Sequence, residues 1–221
     1  MVEASITYNV IGVIETPYSD KYDAPRQPCI DERVDQATVV LFPNMNMEQA
    51  IEDLDGCDRI WLIVHFHEIT GWKPKILTPR DRKKRGVFAT RSPHRPNAIG
   101  LSCVKLLSVE GRRLVVEGTD LLNGTPVLDI KPYLAYADAF PESRVRWLQE
   151  VTDQEPYIIT NADVLGRLPE HIRAYILRTL SADPFPHPYR RIKRLADREY
   201  EIAMKEHRVR FMIEDKTVTI L

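Results

Sequence analysis

His65 and His67 stand two residues apart in Val-His-Phe-His, so on a β-strand both imidazoles would emerge on one face. Such a pair can supply two zinc ligands, with Glu68, His94 or a distant carboxylate as the third, and would make a metal-dependent hydrolase. The same spacing also suits histidines that hydrogen-bond backbone or a bound ligand. Downstream, Lys73, Lys75, Arg80, Arg82, Lys83, Lys84, Arg85, Arg91 and Arg95 face the single acid Asp81. A cation density of this kind attracts phosphates and would steer an RNA, although the run 82–85 on its own equally suits a solvated loop.

The segment 88–97, Phe-Ala-Thr-Arg-Ser-Pro-His-Arg-Pro-Asn, packs two arginines, a histidine, hydroxyls and two prolines between two apolar strands. Proline fixes backbone angles, so the loop is expected to be stiff, and stiff convergent donors suit a planar or anionic ligand. In 120–127, Asn123-Gly124 favours positive backbone angles and Pro126 ends the turn. Asp129, Lys131 and Tyr133 follow at period two, which on a strand sets a carboxylate, an ammonium and a phenol side by side. A solvent-facing strand would show the same alternation.

The elements that must hold these residues are mostly short strands. Strands are expected over 6–14, 37–42, 60–66, 86–90, 101–109, 113–118 and 127–133, with a hairpin at Glu110-Gly111-Arg112. Asn46 is placed to cap a helix through Leu54, and the proline-rich, basic stretch 72–85 reads as loop. This pattern gives a mainly β barrel or sandwich. After about Pro141 the pattern changes to helices at 163–168 and 170–180 and strands at 200–205, 209–213 and 218–221. The expected organisation is therefore a β domain over 1–142 and a small α+β domain over 143–221.

At 221 residues with 31 basic and 32 acidic side chains, the net charge of -1 confines any nucleic-acid surface to a local patch. Cys29, Cys57 and Cys103 form neither a disulfide framework nor a cysteine-built zinc site. No two glycines are separated by a single residue, which excludes the Gly-x-Gly-x-x-Gly dinucleotide turn, and no Walker A loop is present. No apolar run approaches the roughly 18 residues of a membrane span, and the opening Met-Val-Glu-Ala-Ser-Ile-Thr lacks a secretory signal, so a soluble cytoplasmic protein is expected.

Taken in order, Pro25-Arg26-Gln27-Pro28, Phe66-His67, Gly86-Val-Phe-Ala-Thr-Arg-Ser92, Arg95-Pro-Asn97, Ile99-Gly-Leu-Ser102, Asp120-Leu121, Gly124-Thr-Pro-Val127 and Asp129-Ile-Lys-Pro-Tyr133 resemble the TsaA-like (TrmO) tRNA adenine-N6-methyltransferases. The resemblance covers about 6–140, and Asp183-Pro184 and Pro188-Tyr189-Arg190 are similar to the smaller domain of bacterial members. It implies a small non-Rossmann β-barrel that binds S-adenosylmethionine, acts as a homodimer and methylates N6 of the threonylcarbamoyl-adenosine beside the anticodon of a threonine tRNA. By motif, the cofactor would meet Pro25, Arg26, Gln27, His67, Glu68, Arg91, Leu101, Asp120, Leu121, Leu122 and Asn123. Glu68 and Asn123 depart from the family pattern, which often has Gln and Asp there. Asp129 or Tyr133 would orient the amine, with Lys131 and Arg91 on a phosphate or the threonyl carboxylate. Arg82, Lys83, Lys84, Arg85 and Arg95, with the Tyr189-Arg190-Arg191 region of the small domain, would track the anticodon stem-loop. A non-catalytic RNA-binding adaptor on the same barrel is the other alternative to the hydrolase.

Overall fold

The computed structural model describes residues 5–19, 24–25, 35–43, 45–79, 81–152, 154–187, 190–204 and 206–221; Arg26, Gln27, Arg80 and Tyr189 lie outside them. Among the described residues no helix is long and apolar enough to cross a membrane. The chain divides into two units, one built from residues 1–75 and 86–142 and the other from 76–85 and 143–221.

In the first unit, period-two alternation closes a barrel. Its strands are β1 (Gly12–Glu15), β2 (Gln36–Leu41), β3 (Arg59–His65), β6 (Ile99–Glu110), β7 (Arg113–Glu117) and β8 (Pro126–Pro132). They run in the order β1-β2-β7-β6-β3-β8, with β8 pairing back to β1 and every pair antiparallel. On β3, Ile60, Leu62 and Val64 point inward and are fully buried, while Arg59, Trp61, Ile63 and His65 point outward. Val39, Val104, Leu114, Val116 and Val127 fill the same interior from the other strands. Each such side chain contributes about 1.5–3 kcal/mol by leaving water. Closure comes at Gly12, which pairs with Leu41 on one side and Val127 on the other; a Cβ there would lie 2.4 Å from the Val40 carbonyl oxygen.

Several local expectations are corrected. The first strand begins at Gly12 rather than at residue 6, because the last ladder bonds, Ile11 N to Val127 O and Phe42 N to Ile11 O, leave Ile6, Tyr8 and Val10 exposed beyond the sheet. Of residues 86–90, expected as a strand, Gly86 only ends a short strand and Val87–Ala89 form a 3-10 turn. Asn46 is left-handed, with φ 53°, and gives no side-chain cap to α1 (Met47–Ala50), which ends after one turn. The loop at 72–85 contains two short paired strands, β4 (Lys75–Leu77) and β5 (Lys84–Gly86). After β8 come α2 (Ala135–Asp138) and, in the second unit, α3 (Arg146–Thr152).

The second unit is a five-stranded sheet, β10 (Ile192–Arg194), β11 (Glu199–Met204), β12 (His207–Glu214), β13 (Thr217–Ile220) and β9 (Ile158–Thr160), in that order. Its one parallel pair is β13 with β9. Helix α4 (Glu170–Ala182) buries Ile172, Ile176 and Leu180, one apolar stripe at helical spacing, in a core with Ile202, Phe211, Val218 and Ile220. Residues 163–167 belong to a 3-10 segment, Ala162–Arg167, rather than an α-helix, and Leu168 after it is extended.

Candidate active site at one rim of the barrel

Antiparallel pairing sends alternate strand ends to opposite rims. One rim collects the ends of β1, β3 and β7 and the starts of β2, β6 and β8. The connections 16–35, 66–98 and 118–125 therefore all leave from it, and they carry all the residues singled out at 25–27, 67–68, 91 and 120–123. Leu101 lies on β6 two residues beyond its start.

The connection 118–125 is drawn tight by two glycines, Gly118 and Gly124, with φ of 78° and 77°. Side chains and backbone from 14–18 then fasten it. Thr16 N donates to Asn123 Oδ1 at 3.1 Å, Thr16 Oγ1 to the Leu121 carbonyl at 3.2 Å, and Asn123 N to the Tyr18 carbonyl at 2.8 Å. The Asn123 side chain is thus used to hold the connection, and Leu121 is buried beneath it. Tyr18 in turn donates to Asp35 Oδ2 at 2.8 Å, bracing the two described ends of the 16–35 connection.

Asp120 is the charged centre of the rim. Burial pushes its carboxyl above the ordinary value, while the hydrogen bond from Ser102 and the positive charge of Arg91 act in the opposite direction. The Ser102 hydroxyl, itself 2% exposed, donates to Asp120 Oδ1 at 2.5 Å. Ser102 points into the barrel while Leu101 beside it, 59% exposed, points out.

Strand β3 ends at His65, so His67 sits in the turn that follows and the two imidazoles do not share a strand face. Among the described residues no group of three or more His, Cys, Asp or Glu is placed to hold a metal. Phe66 is bonded back to Ala98 O at 2.8 Å and its ring occupies the space a Gly100 side chain would need, 2.5 Å from the Cβ position. His67 and Glu68 project beyond it, exposed. Arg91 follows the Val87–Ala89 turn, which is pinned by Thr90 and Arg95. Thr90 Oγ1 reaches the Val87 carbonyl at 2.8 Å, and Arg95 Nη1 reaches the Val87 and Thr90 carbonyls at 3.3 and 3.0 Å. Arg95 also lies 5.5 Å over the Phe88 ring, so this half-buried arginine shapes the loop that carries Arg91.

Asp129, Lys131 and Tyr133 descend the outer wall away from this rim. Asp129 shares a row with Ile63 and Leu101, and Lys131 lies one row further, with Trp61 and Cys103. Lys131 Nζ lies 2.9 Å from Asp129 Oδ2. Tyr133 belongs to the opposite end, where its N–H bonds to the Arg59 carbonyl and its ring lies 5.8 Å from Trp61. At about 3.4 Å per residue, Tyr133 is about 14 Å along the strand from Asp129.

Three of the arginines expected to track RNA are engaged inside the second unit. Asp183 accepts from Arg82 and lies 2.5 Å from Arg190, and Asp81 lies 2.5 Å from Arg85. Arg82 also covers the Phe185 ring at 4.5 Å. Burial alone would raise both carboxyls, but these arginines and nearby backbone N–H groups hold them below the ordinary range. Lys83 and Lys84 are exposed. Ser102 and Asp183 stand in the motifs that carry the resemblance, yet neither they nor Thr16 were given a role from sequence; only the alternation along 99–102, which turns Ser102 inward, carried a signal for the first.

The tRNA-methyltransferase O N-terminal domain model matches residues 13–139. A tRNA (adenine(37)-N6)-methyltransferase of Escherichia coli is 31% identical over 96% of this chain and 95% of its own length. A putative S-adenosylmethionine-dependent methyltransferase of Pseudomonas aeruginosa, RcsF, is 44% identical over 61% of this chain and 59% of its own. The crystal structure of TrmO from Pseudomonas aeruginosa superposes with a TM-score of 0.57 at 30% identity, covering 99% of this chain and 97% of that one.

Proposed function

The chain belongs to the tRNA-methyltransferase O family, S-adenosylmethionine-dependent enzymes that methylate tRNA adenine(37) at N6, and on that premise we propose that its acceptor is N6-threonylcarbamoyladenosine in a threonine tRNA. The observation that carries the reading is the convergence of three connections on one rim, with Asp120 held between Ser102 and Arg91. The rim fits the methyl donor chemically. A desolvated carboxyl at Asp120 suits its cationic groups, and the half-buried Phe66 supplies apolar surface for its ring.

Bound there, S-adenosylmethionine supplies a methyl group on a sulfonium, a leaving group that needs no acid. What the protein must add is alignment, which contributes on the order of 7–11 kcal/mol to such a transfer. In this reading Pro25, Arg26, Gln27, His67, Glu68, Leu101 and Asp120 to Asn123 seat the donor. Arg91 and Lys131 bind the threonyl carboxylate or a phosphate. Asp129, the nearest to the rim of the three outer-wall candidates, orients the N6–H and accepts its proton as the new N–C bond forms; Tyr133 stands further down the same wall. The outer wall exposes Ile99 and Leu101 and half-buries Ile63 and Trp61, which supports a homodimer formed across it. The second unit contacts the anticodon stem-loop through Lys83, Lys84 and Tyr189, with Arg82, Arg85 and Arg190 shaping that surface, and the protein works in the cytoplasm.

Calorimetry should give one S-adenosylmethionine bound per chain, and cells lacking the gene should lose methylated threonylcarbamoyladenosine from their tRNA nucleosides by mass spectrometry. An unchanged nucleoside profile rejects the acceptor, and the absence of binding heat rejects the donor site.

A further inference from the structure

One face of the second unit's sheet is covered by its helical layer, where Ile192, Ile202, Val209 and Phe211 are buried. The other face carries charge. Lys193, Glu201 and Arg210 lie in one row across β10, β11 and β12, and the neighbouring row holds Arg191, Ala203 and Arg208. Rows two residues apart on a strand are about 7 Å apart, and two strand spacings are about 10 Å, so the four cations mark out a quadrilateral of about 10 by 7 Å. The small Ala203 leaves the space between Arg191 and Arg208 open.

Glu201 gives this patch a fixed geometry. It is 9% exposed and braces Lys193 Nζ at 2.9 Å and Arg210 Nε at 4.0 Å, while the side chains of both cations remain about two-thirds exposed, at 65% and 64%. Arg191 and Arg208 are exposed as well. The remaining acids of this face, Glu199 and Glu214, lie toward the other end of β11 and β12, and Glu214 is paired with Arg198 at 2.8 Å. These two rows hold four cations and one carboxylate, a local positive excess on a chain of net charge -1, with Arg208 also donating to the His207 carbonyl at 3.0 Å.

We propose that the open face of this sheet, through Arg191, Lys193, Arg208 and Arg210, is a binding site for the phosphate backbone of RNA. The proposal rests on the tRNA-acting reading above and assigns it a surface. The exposed, spaced cations would track successive phosphates without reading bases, so the site supplies affinity and salt dependence rather than sequence preference.

The test uses the full chain and an unmodified tRNA transcript, with affinity measured by fluorescence anisotropy over a range of salt concentrations. The double variant Arg191→Ala/Arg208→Ala leaves both cations beside Glu201 in place. It should bind tRNA more weakly, with the slope of log affinity against log salt reduced by about 1.4 to 1.8 units, about 0.7 to 0.9 for each lost phosphate contact. Adding Lys193→Ala should lower it by a further step of about the same size as one contact. S-adenosylmethionine binding, read by calorimetry, should be unchanged in each. A variant slope equal to that of the parent overturns the surface while leaving the enzyme reading intact. A parent chain that binds S-adenosylmethionine but no tRNA at any salt concentration overturns both. Displacement of the tRNA as readily by poly-glutamate as by an RNA of equal charge would instead mark a surface for acidic proteins and overturn the assignment to RNA.

Discussion

At Asp120 the chain keeps an ionisable carboxyl where little water reaches it. Its folded-state pKa lies above the ordinary value, so the fold is favoured while the group is protonated and this contribution is lost as pH rises through the folded pKa. Asp120→Asn should therefore raise the melting temperature of the ligand-free chain at neutral pH, with the gain vanishing near pH 4, and should weaken S-adenosylmethionine binding. If the melting temperature falls instead, the carboxylate is a net structural asset and the argument fails. Ser102 acts on the same equilibrium from the side of the charged form, since its hydroxyl donates to the carboxylate. Ser102→Ala should cost about 1 kcal/mol of stability and shift the pH midpoint of S-adenosylmethionine binding upward, a displacement that calorimetric titration across pH would reveal. Little of this could be read from sequence. The motif pointed to Asp120 by resemblance, but a serine that turns inward beside an outward leucine becomes meaningful only once the strand register is known.

Among the elements, the barrel strands were the most legible. The run 60–66 was read within one residue of β3, because a short, nearly continuous apolar run of this length suits a buried strand. The stretch 6–14 is as rich in β-branched residues, yet only its end is paired; residue types report what suits a strand and cannot report whether a neighbouring strand is there. Helical patterns at 47–54 and 163–168 were misread for a related reason, since one or two turns with no side-chain cap collapse readily into 3-10 geometry. Closure was the element-scale feature hidden from sequence. At Gly12 the β1 backbone and the Val40 carbonyl come too close to admit a Cβ. Gly12→Ala should destabilise the barrel by about 1–3 kcal/mol, the range for overpacking, as measured by urea unfolding; a loss below about 0.5 kcal/mol would mean that β1 shifts freely.

For the whole molecule, the decisive feature is the division of the 66–98 connection. The sequence expectation placed a single boundary after residue 142, whereas Ile76–Arg85 clusters with Ser143–Leu221, tied there by Asp183 to Arg82 and Arg190 and by a His187 ring nitrogen 3.2 Å from the Asp81 carbonyl oxygen. Composition could not disclose this, because a basic loop looks the same whether its arginines meet solvent or a half-buried carboxylate 101 residues away. The carboxyls of Asp81 and Asp183 are held below the ordinary range, so they stabilise the fold above the unfolded value near pH 3.9, and that stabilisation is lost as pH falls below it. Asp183→Asn should cost about 1.5–3 kcal/mol, the range for losing hydrogen bonds to a charged group rather than a fully buried pair, because Asp183 is half-buried and Arg82 largely exposed, and should lessen the loss of stability on acidification below pH 4. Acid unfolding curves identical to those of the parent would remove this role. The division also sets an order of assembly on the ribosome. Translation at about 5–20 residues per second releases Ile76–Arg85 some seconds before its partners exist, so the nascent barrel closes with its arginine-rich loop still waiting, and a message cut short after the barrel would leave that loop permanently unanchored.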